Sequence, residues 1–217
     1  VVLATGGWPG NAQLMTQNIT RHFGGMHQRN AGFGGRKPAL VGDGLLAATQ
    51  IGAAPSIGEW DGFYGHMLPA RQTKKWANPL ADYSMYHGNS SLVINLYGRR
   101  FTDESQGKQA YPIRGSGDPM CNQETSRQPE ACAAYVWDGP VNEKRACADC
   151  GLGDLDKYPA YRDIGAPTAK ADTILELVQQ MEKWNRGMSA DVLYQEIMEY
   201  NQAAKNGKTG ALRIPKR

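Results

Sequence analysis

Ser91-Leu92-Val93-Ile94-Asn95-Leu96-Tyr97-Gly98-Arg99-Arg100-Phe101-Thr102-Asp103-Glu104 carries the plainest structural signal in this chain. A short apolar run rich in β-branched residues reaches a turn at Gly98 and is followed by Tyr97 to Phe101, itself aromatic and polar by turns. That pattern predicts two strands around a tight turn, within a β-containing region that begins where aromatic residues become frequent, near Ser56.

Downstream, residues 106–130 are polar and carry Gly115, Gly117 and Pro119, which reads as a long excursion. Ala134-Tyr135-Val136-Trp137-Asp138 predicts a third strand. Thr173 followed three residues later by Glu176 is a capping box that opens one helix. A second helix is predicted from Ser189 to about Lys205, with Leu193, Ile197, Tyr200 and Ala204 on one face and Asn206-Gly207 as its stop. Upstream, Val1-Val2-Leu3-Ala4-Thr5 has the pattern of a buried strand, and a helix is expected around Asn11 to Ile19. Gly42-Asp43-Gly44 opens a short apolar helix that Gly52 should end in a left-handed cap. A strand at residues 1–5 needs neighbours, and nothing in the next forty residues repeats its pattern. The chain is therefore expected to be an internal stretch of a larger protein.

Composition narrows the function classes. Of 217 residues, 41% are hydrophobic and 21% charged, enough apolar material to bury a core. The formal net charge is +3, with no long block of Lys or Arg, so a nucleic-acid partner is not indicated. No apolar run approaches the roughly 18–20 residues that span a bilayer, so no membrane span is expected.

Two glycine turns are candidates for holding a cofactor. Ala4-Thr5-Gly6-Gly7 ends a predicted strand in small residues, so backbone amides there can approach a ligand closely. An ordinary strand-to-loop turn explains the same residues. In Gly42-Asp43-Gly44, the Asp43 carboxylate suits a ribityl or ribose hydroxyl, or else simply caps the helix. The four cysteines are Cys121, Cys132, Cys147 and Cys150. Cys147 and Cys150 have the spacing of a zinc or redox pair, but Cys121 and Cys132 lie too far apart in sequence to complete it well. Free thiols are expected first, a disulfide second, and no metal site. The aromatic group Trp60, Phe63, Tyr64, Trp76, Tyr83 and Tyr86 reads as core or domain interface rather than as a substrate cage. Arg71, Lys74 and Lys75 read as a solvated loop.

In order, A-T-G-G, a Gly-rich gap, G-D-G opening a helix that ends I-G-A-A, H-x-x-P, and H-G-N-S-S-L-V-I-N-L-Y-G-R-R-F-T-D-E resemble one family. It is that of the flavin-dependent fumarate reductase and succinate dehydrogenase flavoproteins, with relatives such as tricarballylate and 3-ketosteroid dehydrogenases. The most specific element is Asn95 to Glu104, similar to the family's N-x-x-G-x-R-F-x-[ND]-E. Tyr135 to Asp138 and the closing A-D-T-I-L-E-L and Y-N-Q-A-A-K-N-G also match. The resemblance spans nearly the whole chain, loosely between Gly107 and Ala131. The family's G-x-G-x-x-G is expected upstream and its closing strand and helix downstream. Gly32, Gly34 and Gly35 do not supply that fingerprint, since no strand precedes them.

The resemblance implies an α/β chain. Residues 1–57 would be the end of a Rossmann-like FAD-binding domain, with Ala4, Thr5, Gly6, Gly7, Gly42 and Asp43 on the FAD. Residues 58–217 would be an α+β substrate-capping domain. It further implies an oxidoreductase that reduces or introduces a C=C bond beside a carboxylate or ketone, partnered by the rest of its own flavoprotein and an electron donor or acceptor. His66 matches the substrate-binding histidine. His87 stands where fumarate reductases carry an Arg of the proton-delivery path. Lys108, four residues after Glu104, takes the place of the proton-donating Arg, with Arg114 as the alternative if the loop carries an insertion. Both departures weigh against fumarate itself, because a lysine is a point charge without the guanidinium fork. The same-class alternative is a tricarballylate- or 3-ketosteroid-dehydrogenase-like enzyme. The alternative of another class is a standalone binding or structural module without flavin.

Overall fold

A computed structural model of the chain describes residues 2–8, 11–18, 41–54, 91–104, 121, 124–143, 157–163 and 165–216. The chain divides into two compact units, Val1–Phe63 and Tyr64–Arg217.

In the first unit, α1 spans Ala12–Asn18 and α2 spans Asp43–Gln50. Asn11 stands at the entry of α1, where its Oδ1 accepts from the Leu14 amide at 3.0 Å and satisfies a first-turn donor. Its Nδ2 donates to the Val41 carbonyl at 2.9 Å, tying α1 to the entry of α2. The predicted left-handed end of α2 is present. Gly52 has φ +87°, its amide donates to Thr49 O, and the Ala53 amide donates to Ala48 O, which is the Schellman arrangement. The expected strand at residues 1–5 is not formed: described residues 2–7 are exposed and none belongs to a strand. Val2 keeps 91% of its surface and Leu3 59%. Strand hydrogen bonds need a neighbouring strand, and among the described residues none pairs with this segment.

The second unit is built on a small antiparallel sheet. β1 (Leu92–Asn95) pairs with β2 (Ala133–Val136), Leu92 opposite Val136 and Asn95 opposite Ala133. α3 (Gly139–Glu143) and α4 (Lys157–Asp163) follow, then α5 (Ile174–Glu182) and α6 (Ala190–Lys205). The sheet's two faces are covered differently, as period-2 alternation requires. Leu92 and Ile94 pack with Val178, Met181, Leu193 and Ile197 of α5 and α6 in the main core, joined by Ala134 and Val136. Tyr135, on the opposite face of β2, and Trp137 just beyond the strand pack instead on Tyr161 of α4 and Ala166.

The helix ends follow the sequence closely. Thr173 accepts from the Glu176 amide at 3.2 Å and opens α5. Asn206 caps α6, and Gly207 follows at φ +64° with the Lys208 amide on Ala203 O. On α6, Leu193 and Ile197 are buried and Tyr200 partly so, whereas Ala204 is exposed because the helix has by then run past the core.

The second predicted strand is not formed. Tyr97 to Phe101 makes one bridge, Ile94 to Arg100, after a turn in which Asn95 Oδ1 accepts from the amides of Tyr97 (3.0 Å) and Arg99 (3.1 Å). Further pairing is pre-empted by Glu104, whose Oε1 takes the Val93 amide at 3.0 Å, the donor that a longer second strand would have used. The mixed helix-and-strand class expected from sequence is what the chain adopts, with two strands among the described residues where the sequence reading had four.

Candidate functional site

The best-defined polar centre lies where that turn folds back onto α6. Arg100 and Glu104 are almost wholly buried, at 2% and 0% side-chain exposure. They meet as a fork: Arg100 Nε donates to Glu104 Oε1 at 2.9 Å and Nη2 to Oε2 at 2.6 Å. Bidentate geometry of this kind is among the stronger polar contacts a protein makes. Arg100 Nη1 donates to the Ile214 carbonyl at 2.8 Å, so each guanidinium nitrogen has a partner. Burial alone opposes the Arg100 charge, but the bonds and charge of Glu104 outweigh it and hold the pKa above the usual arginine value.

Other charges close around the fork. Glu196, buried on α6, accepts the Arg100 amide on Oε1 at 3.2 Å and pairs through Oε2 with Arg99 at 3.2 Å. Arg213 Nη2 donates to the Arg100 carbonyl at 2.6 Å. Lys216 Nζ donates to Ser91 O at 3.0 Å and lies 3.9 Å from Glu104 Oε2. Both cations lie against Tyr200, with Arg100 Cζ 5.1 Å and Lys216 Nζ 5.5 Å from the ring centre. Burial lowers the Lys216 pKa against the pull of Glu104, and burial raises that of Tyr200. This arrangement clamps β1, α6 and residues 213–216 together. Its arginine is spent on protein partners, so its role is structural rather than substrate binding.

Beside it, a groove of about 880 Å³ runs along β2, walled by Tyr135, Trp137, Tyr158 and Trp184, with Lys216 among its lining residues. Tyr161, also in the lining, is so buried that its phenol pKa is pushed well above the ordinary value. At another edge, Arg186 pairs with Glu130 and reaches the Cys132 thiol at 3.8 Å. Glu130, Ala131 and Asn185 all have φ between 50° and 54°, unusual for residues with a Cβ.

The two glycine turns read from sequence do come together in the first unit. A Cβ on Gly44 would lie 2.1 Å from Thr5 Oγ1, and one on Gly42 would lie 2.9 Å from Trp8 Cβ. These glycines are therefore required by contact between the two turns themselves. Gly42, at φ +87°, is the helix cap and Asp43 the first helical residue, which corrects the reading of Asp43 as the cap. Its carboxylate is exposed, as are Ala4, Thr5, Gly6 and Gly7. His66, His87, Lys108 and Arg114 lie outside the described residues, as do Cys147, Cys150 and the aromatic group from Trp60 to Tyr86. Cys121 is buried and Cys132 half-buried. Among the described residues no cluster of His, Cys, Asp and Glu could hold a metal ion, and no helix is long and apolar enough to cross a membrane.

Sequence reading missed Glu196, Tyr200 as a cation partner, Arg213 and Lys216. Glu196 did leave a signal: a carboxylate between Leu193 and Ile197, on the apolar side of an amphipathic helix, needs a buried cation.

The known proteins this chain resembles are oxidoreductases of the dehydrogenase kind. It is 28% identical over 176 residues to 3-oxosteroid 1-dehydrogenase of Mycobacterium tuberculosis (strain ATCC 25618 / H37Rv), covering 78% of this chain and 28% of that protein. It is 26% identical over 173 residues to 3-oxosteroid 1-dehydrogenase of Mycolicibacterium smegmatis (strain ATCC 700084 / mc(2)155), covering 78% of this chain and 27% of that protein. The chain thus spans little more than a quarter of the length of these curated relatives. No family model matches it.

Proposed function

We propose that this chain is part of a FAD-dependent dehydrogenase that introduces a C=C bond next to a ketone, with a 3-oxosteroid-like compound as substrate. The observation that carries this reading is the similarity, over 78% of the chain, to enzymes named for that reaction. Residues 1–57 are read as the end of the FAD-binding domain and 58–217 as the substrate cap.

The exposed backbone at Ala4, Thr5, Gly6 and Gly7 and the exposed Asp43 carboxylate fit one edge of a dinucleotide: amides without obstructing side chains, and an acceptor for a hydroxyl. Gly42 serves there as the turn that presents Asp43. When bound, FAD supplies the acceptor for a hydride. The remaining work falls to this chain and the rest of its protein. The C–H bond beside a ketone loses its proton more readily when a donor stabilises the charge that builds on oxygen. His66 is the candidate for that hydrogen bond, and Lys108 and His87 for moving the proton. A ketone suits this set better than a dicarboxylate, since Lys108 and His87 replace the two arginines that fumarate-type chemistry employs.

The test uses the complete protein encoded by the reading frame that contains this chain. Flavin released on denaturation is quantified, and reduction of an artificial electron acceptor is followed with a 3-oxosteroid or with succinate. One FAD per chain with steroid-dependent turnover is expected. A flavoprotein active only with succinate would move the assignment to the dicarboxylate branch, and a protein without flavin would end it.

A further inference from the structure

We draw no further inference here: the strongest candidate, the aromatic-walled groove along β2 lined by Tyr135, Trp137, Tyr158 and Trp184, has nothing in the structure to show what covers it.

Discussion

Replacing Glu104 by alanine should be among the most damaging single changes in the second unit. The substitution leaves the Arg100 guanidinium buried at 2% exposure with two of its bonds gone and the Val93 amide without its acceptor. Breaking a buried pair from one side typically destabilises by about 3–5 kcal/mol. An orphaned buried amide adds about 1–3 kcal/mol where water cannot reach it. For a unit of this size, a loss near 4 kcal/mol corresponds to a fall in Tm on the order of 10 °C. Arg99→Ala provides the contrast. Its pair with Glu196 is 44% exposed on the arginine side, so its loss should be under about 1 kcal/mol. The double change Arg100→Met with Glu104→Leu removes both charges and should recover at least half of what Glu104→Ala loses, because a matched apolar pair carries no desolvation penalty. Urea unfolding of the three variants, followed by tryptophan fluorescence, gives the ranking. Equal midpoints for Glu104→Ala and Arg99→Ala would refute the buried fork, and a double variant worse than the single one would refute the charge argument.

Four further outcomes are expected. Lys216 has a folded-state pKa below the ordinary 10.5, so its ammonium opposes folding in full below the folded value. That penalty fades as pH rises to 10.5, and the parent chain should gain on Lys216→Met across this interval; Glu104, Arg100, Asp103, Cys121 and Tyr200 face the group in both, so a pH-independent difference would contradict it. Gly98→Ala combines φ +76° with a Cβ 3.2 Å from the Leu193 amide, whereas Gly207→Ala meets φ +64° in open space; the first should lose about 1–3 kcal/mol and the second about 1, with equal urea midpoints as the contrary result. Thr173→Ala removes a capping bond and should lose about 1 kcal/mol, while Ser189→Ala, whose side chain makes no capping bond, should lose less than about half of that by thermal melting. In the complete protein, Lys108→Ala should lower turnover about a hundredfold or more and His66→Ala should chiefly raise KM; near-normal turnover in Lys108→Ala with collapse in Arg114→Ala would move the proton-transfer role to Arg114.

What sequence revealed best were features fixed by a few neighbouring residues. Thr173 with Glu176, Gly52, and Asn206 with Gly207 each act within one helical turn, and each sits where its chemistry predicts. β1 and β2 were legible because runs such as Leu92 to Ile94 have no good alternative to a buried strand. The two strand readings that failed did so for non-local reasons. Val2 to Thr5 has strand propensity but no described neighbour to pair with. Tyr97 to Phe101 has it too, but the carboxylate of Glu104 takes the amide that pairing required. Long-range partners such as Glu196 for Arg99, 97 positions away, leave almost no local signature. Of the candidate site, the two glycine turns were legible only as separate glycine-rich turns, whereas their meeting through the contact of Gly44 with Thr5 was not.

The residues that carry the resemblance are largely those the fold consumes. Asn95 takes two turn amides, Gly98 makes room for Leu193, and Arg100 and Glu104 satisfy each other. A likeness resting on such residues transfers a scaffold, because any member that keeps the clamp keeps the geometry whatever substrate it turns over. Discrimination between a ketone and a dicarboxylate must then rest on groups free to touch the substrate, which on the proposed reading are His66, His87 and Lys108. The two sets should separate experimentally. Weakening the clamp by Glu196→Gln should lower stability and reduce turnover of every substrate by a similar factor, since it loosens the unit without touching a substrate. Changing Lys108 or His87 to Arg should instead alter the ratio of kcat/KM between a 3-oxosteroid and succinate while leaving the urea midpoint in place, because a guanidinium fork grips a carboxylate and gains little from a lone carbonyl. A shift of that ratio in Glu196→Gln equal to that in Lys108→Arg would mean that the clamp, too, shapes the substrate site.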